Sequence, residues 1–239
     1  MTAFYAIFSG CLNLCTLAGF PPFFFEEMEK HTELLLNTES SDELIENPVF
    51  QELIERLTEF SKDCNIVGYH YTRANKEDFL KEGLKSRSGQ EIREIFLSRY
   101  SVLFTVEELE TIKKLWDAYF DKIQKSSRDN YIFFNLTTEA LSNSGAEPLL
   151  KYYGGEQVYM PLQREFTIAQ KLRGIGTPLL IKAILDPKQL SNFYEDDIVK
   201  IAISSYHRNK KTDADQYDRD VYQRRPILSN QIEITNLKD

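Results

Sequence analysis

The segment Gly68–Arg73, which reads Gly-Tyr-His-Tyr-Thr-Arg, constrains the fold of this chain more than any other stretch. It follows the short apolar run Cys64–Val67, which predicts a buried strand. A short helix is expected next, because Gly83 can adopt the left-handed conformation that ends helices. Side chains two residues apart on a strand point to the same face. We therefore expect His70 and Thr72 to line one side of a cleft.

Charge and metal-ligand content restrict the class of protein. The 239 residues carry a formal net charge of -8, so the chain as a whole repels phosphate backbones and anionic lipid. Nucleic acid is therefore not the expected partner, and the local basic exceptions are Arg208–Lys211 and Arg224–Arg225. Three cysteines without a Cys-x-x-Cys pair predict neither a disulfide framework nor structural zinc, and three histidines argue against a multi-histidine centre. We predict no metal.

The N-terminus departs from this polar profile. No charged side chain occurs from Thr2 to Phe25, a stretch long enough to resemble a signal sequence or a weak membrane span. Three polar residues interrupt the run, no Lys or Arg precedes it, and Pro21–Pro22 ends it. We predict a buried or partner-facing segment in a cytoplasmic protein. Membrane association or export through residues 1–25 stays open as the alternative.

The pattern of the remaining chain is mixed α+β. Residues 1–62 read as an apolar leader and helical N-terminal region, and residues 63–239 as one α+β domain. Capping boxes beginning at Ser40 and Thr105 predict helix starts. The segment Glu94–Tyr100 is ambiguous between strand and loop. Strands are predicted at Tyr131–Leu136, Gln157–Met160, Leu179–Leu185 and Gln231–Ile234, and a helix at Asp196–Tyr206.

The order of these motifs resembles a known family. A His-x-Thr strand end, a short helix ending in Gly83-Leu84, the run Tyr131–Leu141, a buried strand and a final Glu-bearing strand together resemble the ADP-ribosyltransferase superfamily in its His-Tyr-Glu class, of the toxin or defence type. The resemblance covers about residues 66–236. It implies a split antiparallel β core, NAD as substrate, and ADP-ribosyl transfer or NAD glycohydrolysis. Common nucleotide-loop, zinc-protease and serine-hydrolase signatures are missing from the sequence.

The resemblance implies roles for four consecutive residues. His70 would hydrogen-bond a ribose hydroxyl of NAD, and the backbone of Tyr71 would hold the nicotinamide amide. The family usually has glycine at that second position, so the bulk of Tyr71 must point away from the cofactor. Thr72 would support the loop, and Arg73 would contact a phosphate.

An aromatic ring and a carboxylate complete the implied site. Tyr131 or Phe133, which share a strand face, would stack on nicotinamide. Chemistry at the nicotinamide ribose passes through an oxocarbenium-like state, which needs a carboxylate. Glu233 lies on the final strand, where the superfamily places its glutamate. Glu156 is the rival, because it follows two glycines that allow close approach of a ligand.

A different class of function stays open. The acidic balance and the apolar first 25 residues also suit a catalytically silent interaction protein that retains the fold, such as an antitoxin, an immunity factor or a regulatory subunit. For an enzyme, the acceptor is undetermined and a protein is among the candidates.

Overall fold

The computed structural model describes residues 7–238. Within that range the fold is α+β, as predicted, with a five-stranded sheet in the order β4-β2-β1-β3-β5 and thirteen α-helices. The strands are β1 (Ile66–Ala74), β2 (Ile132–Asn135), β3 (Thr177–Leu185), β4 (Asp220–Gln223) and β5 (Ile232–Asn236). The helices are α1 (Pro22–Lys30), α2 (Thr32–Asn37), α3 (Ser41–Glu46), α4 (Gln51–Ser61), α5 (Lys76–Glu82), α6 (Gly89–Tyr100), α7 (Val106–Tyr119), α8 (Lys122–Ser126), α9 (Glu139–Ser142), α10 (Glu147–Lys151), α11 (Glu156–Tyr159), α12 (Phe166–Arg173) and α13 (Asp197–Lys210).

The chain divides into two compact units, and each is built from three stretches of sequence. Unit 1 comprises Met1–Tyr69, Phe134–Ser142 and Ala183–Tyr222. Unit 2 comprises His70–Phe133, Asn143–Lys182 and Gln223–Asp239. All the residues that the sequence singles out for a site, from His70 to Glu233, belong to unit 2.

Unit 1 buries much of the apolar N-terminal stretch. Leu12 pairs in parallel with Ile66, and its N–H donates to the Asn65 carbonyl at 2.8 Å. Helix α13 packs against α2, α3 and α4. Across residues 7–238, we find no helix with both the length and the apolar character needed to span a membrane. The N-terminal side chains buried here include Cys11, Leu12, Leu14, Leu17, Phe20 and Phe24.

Unit 2 has an aromatic core. Helix α6 begins with a capping box between Ser88 and Glu91, and α7 begins with the one predicted from Thr105. The rings of Trp116 and Phe96 pack edge to face, with centroids 5.8 Å apart. The side chains of this core come from four helices and from the loop before α11, and their packing buries much apolar surface. This packing holds the ends of β1 and α11 in place.

Two local predictions need correction. Gln157–Met160 does not form a strand, since Glu156–Tyr159 is the short helix α11. The reason is the turn before it: Gly154 and Gly155 both have positive φ, and the N–H groups of residues 158 and 159 bond back to the Gly155 carbonyl. Glu94–Tyr100, ambiguous between strand and loop, lies inside α6.

The short helix after the His-x-Thr strand is confirmed. Helix α5 ends at Gly83, whose φ is +69°. A Cβ on this glycine would lie 2.0 Å from the carbonyl oxygen of Ile227. The left-handed turn therefore allows Leu84 to pair with Ile227 in an antiparallel bridge, which fixes the segment that precedes β5.

Candidate functional site

His70 lies half-buried near the middle of β1. Its Nδ1 lies 2.9 Å from the main-chain oxygen of Phe133. A carbonyl oxygen only accepts hydrogen bonds, so Nδ1 carries the proton and Nε2 carries the lone pair in the neutral ring. Burial lowers the pKa of His70, and the bond to the Phe133 carbonyl opposes that shift. The ring is therefore a neutral imidazole at neutral pH, with an acceptor at Nε2.

The residues after His70 are buried. Tyr71 points to the face of β1 opposite His70, because side chains alternate along a strand, and so its bulk does not adjoin the imidazole. Thr72 is also buried. The guanidinium of Arg73 donates from Nε to the Ile175 carbonyl at 3.0 Å. Arg73 is thus 7% exposed and holds main-chain carbonyls, while its predicted contact to phosphate stays a prediction.

Two aromatic rings stand together at the start of β2. The rings of Tyr131 and Phe133 meet edge to face, with centroids 6.0 Å apart. Phe133 is 40% exposed, whereas the next residue, Phe134, is 2% exposed. The Tyr131 hydroxyl accepts a hydrogen bond from Nη2 of Arg224 at 2.7 Å. Of the two candidates for stacking, Phe133 has the more exposed side chain.

Glu233 forms an ion pair across two strands. Lys182 of β3 donates from Nζ to its Oε1 at 3.0 Å. The antiparallel register of β3 and β5 is set by the N–H of Leu237, which donates to the Pro178 carbonyl at 2.9 Å. Both side chains of the pair are partly exposed, at 33% for the lysine and 23% for the glutamate. The carboxylate is thus oriented by a cation and still reaches solvent.

The pairing of β1 with β3 places the ion pair between Lys182 and Glu233 at the same height along the strands as His70. A Cβ on Gly68 would meet Leu185 at one end of the two strands, and a Cβ on Gly176 would meet the backbone of Ala74 at the other. The strands therefore run antiparallel, and the middle of β1 lies beside the middle of β3. Because neighbouring strands are about 4.8 Å apart, the backbone of β5 lies about 10 Å from that of β1.

Glu156, the rival acid, lies beyond the end of β1. Tyr153 forms a parallel bridge with Arg73, and the N–H of Gly154 donates to the Arg73 carbonyl at 3.3 Å. The chain therefore runs onward from residue 153 in the same direction as β1, away from His70. The Glu156 carboxylate accepts from Nε of Arg128 at 2.8 Å and starts α11.

Known proteins supply no identification. The chain matches no protein-family model, and neither the curated proteins nor the solved structures gave a match. Among the described residues, no group of three or more His, Cys, Asp or Glu side chains is arranged to hold a metal ion. The candidate site therefore rests on its own geometry and on the motif order of the sequence.

Sequence reasoning missed two members of this neighbourhood. Lys182 is a charged residue inside the otherwise apolar strand Leu179–Leu185, and that break in the pattern was the available signal. Arg224 was recognised as half of a basic pair, but its contact with Tyr131 depends on the path of the chain between β4 and β5.

Proposed function

We propose that this chain cleaves NAD at the nicotinamide ribose, by ADP-ribosyl transfer or by hydrolysis, with His70, Phe133 and Glu233 as the central residues of the site. The single observation that carries the proposal is the 2.9 Å contact between Nδ1 of His70 and the main-chain oxygen of Phe133. The Nδ1–H is used on the Phe133 carbonyl, so Nε2 is an acceptor suited to a ribose hydroxyl. An acceptor nitrogen on a ring that the strand holds in place can orient a ribose.

The chemistry divides between the ring and the acid. The bond between the nicotinamide nitrogen and C1 of the ribose breaks, and its electron pair leaves with nicotinamide. The carboxylate of Glu233 stabilises the positive charge that develops on the sugar and holds a ribose hydroxyl. Water or the acceptor hydroxyl then bonds to C1 and releases a proton. Phe133 would hold the nicotinamide ring by stacking while Nε2 of His70 orients the sugar.

Glu233 is the preferred acid because it lies at the same height along the strands as His70. Only β3 separates β5, which carries Glu233, from β1, which carries His70. Glu156, in contrast, follows a segment that leaves the end of β1. Lys182 keeps the Glu233 carboxylate oriented. The acceptor is open, with a protein side chain and water as the main candidates. We propose a cytoplasmic location.

Release of nicotinamide from NAD by the purified full chain tests the proposal. We expect turnover by the wild type and a loss of about 100-fold or more in His70→Ala. Glu233→Gln should lose about 1000-fold, and Glu156→Gln much less, since only the acid beside the sugar stabilises the transition state. Glu147→Gln, an exposed carboxylate of unit 2 paired with Lys151, is the matched control. Turnover unchanged by His70→Ala would rule out this site.

A catalytically silent interaction protein is the second candidate function. The observation in its favour is that both candidate acids are paired with cations, Glu233 with Lys182 and Glu156 with Arg128. Such a protein would co-purify with a stable partner and show no thermal shift with NAD. The wild-type arm of the turnover experiment separates the two proposals.

A further inference from the structure

We propose that Arg224, rather than Arg73, holds the diphosphate of the nucleotide, an inference that rests on the proposed function. The two arginines occupy different environments. Arg73 is 7% exposed, and its Nε and Nη1 donate to the carbonyls of Ile175 and Leu150 at 3.0 and 3.3 Å. Pulling that guanidinium toward a ligand would leave these two main-chain acceptors without their donor, which is costly in a buried setting.

Arg224 stands on the surface beside the aromatic pair. Its guanidinium carbon lies 4.8 Å from the centre of the Tyr131 ring, and Nη2 donates to the Tyr131 hydroxyl at 2.7 Å. Tyr131 in turn contacts Phe133, with ring centroids 6.0 Å apart. The cation is therefore within one nucleotide's length of the exposed ring that would stack on nicotinamide. Tyr131 acts as a positioning residue, because its hydroxyl and ring orient the guanidinium.

The chain segments around Arg224 are locally cationic. The antiparallel bridge between Leu84 and Ile227 brings Lys85 and Arg87 alongside the segment that carries Arg224. Arg87 is paired with Glu82 at 2.8 Å. We refer to Lys85, Arg87 and Arg224 as the cationic strip. In a chain of net charge -8, such a strip is what an anionic ligand needs in order to approach.

The nearest carboxylate in sequence to Tyr131 is held by donors at the starts of α6 and α11. Asp129 accepts from the main-chain N–H of Gly89 at 2.9 Å and from Nε2 of Gln157 at 3.0 Å. Both donors belong to helix starts within unit 2, where negative charge is favourable. The carboxylate therefore serves the packing of α6 and α11.

The ligand chemistry that fits Arg224 is a phosphate or diphosphate group next to a planar ring. Guanidinium presents paired donors that match phosphate oxygens, and it retains its charge at any working pH. The exposed phenyl ring of Phe133, which contacts Tyr131, can stack on a planar heterocycle. A nucleoside diphosphate unit combines both features, and NAD contains one.

Binding of ADP to the full chain by calorimetry tests the assignment, because ADP carries the diphosphate and lacks the reactive bond. The variant is Arg224→Gln, which keeps an N–H donor for Tyr131 but removes the charge. The matched control is Arg225→Ala. It removes equal charge from the next position, which is likewise exposed, and its main-chain carbonyl, the acceptor for Gln223, is unaffected. Thermal unfolding of both variants checks that they fold.

We expect Arg224→Gln to weaken ADP binding about tenfold or more and Arg225→Ala to leave it within about twofold, since one charge-assisted contact is worth that factor. Equal affinity in wild type and Arg224→Gln, equal losses in both variants, or no binding of ADP by the wild type would each overturn the assignment. ADP binding that depends on Arg224, together with no release of nicotinamide from NAD, would overturn the proposed function and leave this assignment standing.

Discussion

Two histidines, one in each unit, use opposite ring nitrogens for main-chain carbonyls. His207 in α13 of unit 1 is completely buried, and its Nε2 lies 2.9 Å from the Leu35 oxygen and 3.2 Å from the Thr38 oxygen. His70 of unit 2 is half-buried and uses Nδ1 on the Phe133 oxygen. The first ring joins α13 to the end of α2, whereas the second joins β1 to β2 through Nδ1.

Two carboxylates, one in each unit, show the same contrast between a buried and a partly exposed group. Asp197 of unit 1 is fully buried and accepts from Nη2 of Arg219 at 2.9 Å and from the Tyr217 hydroxyl at 3.0 Å. Glu233 of unit 2 is partly exposed and meets Lys182. A fully buried polar group mainly stabilises the fold, while a polar group that still reaches solvent is available to a ligand. The difference supports our proposal of a site in unit 2.

The largest effect on stability should come from Arg219→Ala. This change leaves the buried Asp197 carboxylate without its cation, which we expect to cost about 3 kcal/mol of unfolding free energy. Urea denaturation gives the value. Lys188→Ala, which breaks an exposed ion pair with Asp63 in the same unit, is the control and should cost less than about 1 kcal/mol. Similar losses in both variants would remove the contrast between buried and exposed pairs.

Removal of the buried ring should come next. His207→Ala leaves the Leu35 and Thr38 carbonyls without that donor and opens a cavity, so we expect a loss of about 2 kcal/mol. Turnover of NAD per folded molecule should not change. His70→Ala should show the reverse pattern, with little loss of stability and a large loss of turnover. A fall in specific turnover in His207→Ala would contradict the division of roles.

A smaller effect concerns pH. Burial lowers the pKa of His70 in the folded protein, so the unfolded chain binds this proton more readily. The neutral ring therefore contributes stability that is present above the ordinary histidine value of 6.5 and is lost as pH falls through the lower folded pKa. We expect part of the decline in denaturation midpoint across that window to disappear in His70→Gln. An identical pH profile in the variant would show that the ring does not titrate as described.

The smallest change in stability should come from Lys182→Ala. The pair with Glu233 is partly exposed, so its loss should cost less than about 1 kcal/mol of unfolding free energy. Urea denaturation beside Arg219→Ala measures this directly. A loss as large as that of Arg219→Ala would mean that the carboxylate of Glu233 serves the fold in the way Asp197 does.

Much of the fold was predictable because local signals agreed with the final structure. The apolar run of β3, the alternation in β5 and the glycine stop after α5 each predict the element that forms. Strand β4 and helix α11 were missed. Each has four residues, too few to show a period, and α11 depends on the left-handed turn at Gly154–Gly155.

The candidate site was less predictable than the fold, because its geometry depends on strand order. Nothing in the sequence around Glu233 indicates that β3 separates it from β1 and supplies Lys182 as its partner. The path that brings Arg224 to Tyr131 is equally invisible to a pattern. The burial of Arg73 follows from neighbours about 75 and 100 residues further along the chain, and no local rule contains them.

Long-range ¹H–¹⁵N spectra of the three imidazole rings, recorded with and without NAD, decide whether His70 presents an acceptor nitrogen to the nucleotide. We expect the proton of His70 on Nδ1 and that of His207 on Nε2, and we expect NAD to shift the Nε2 resonance of His70 while that of His207 stays unchanged. A His70 ring with its proton on Nε2, or an Nε2 resonance that saturating NAD leaves in place, would rule out this role of the ring.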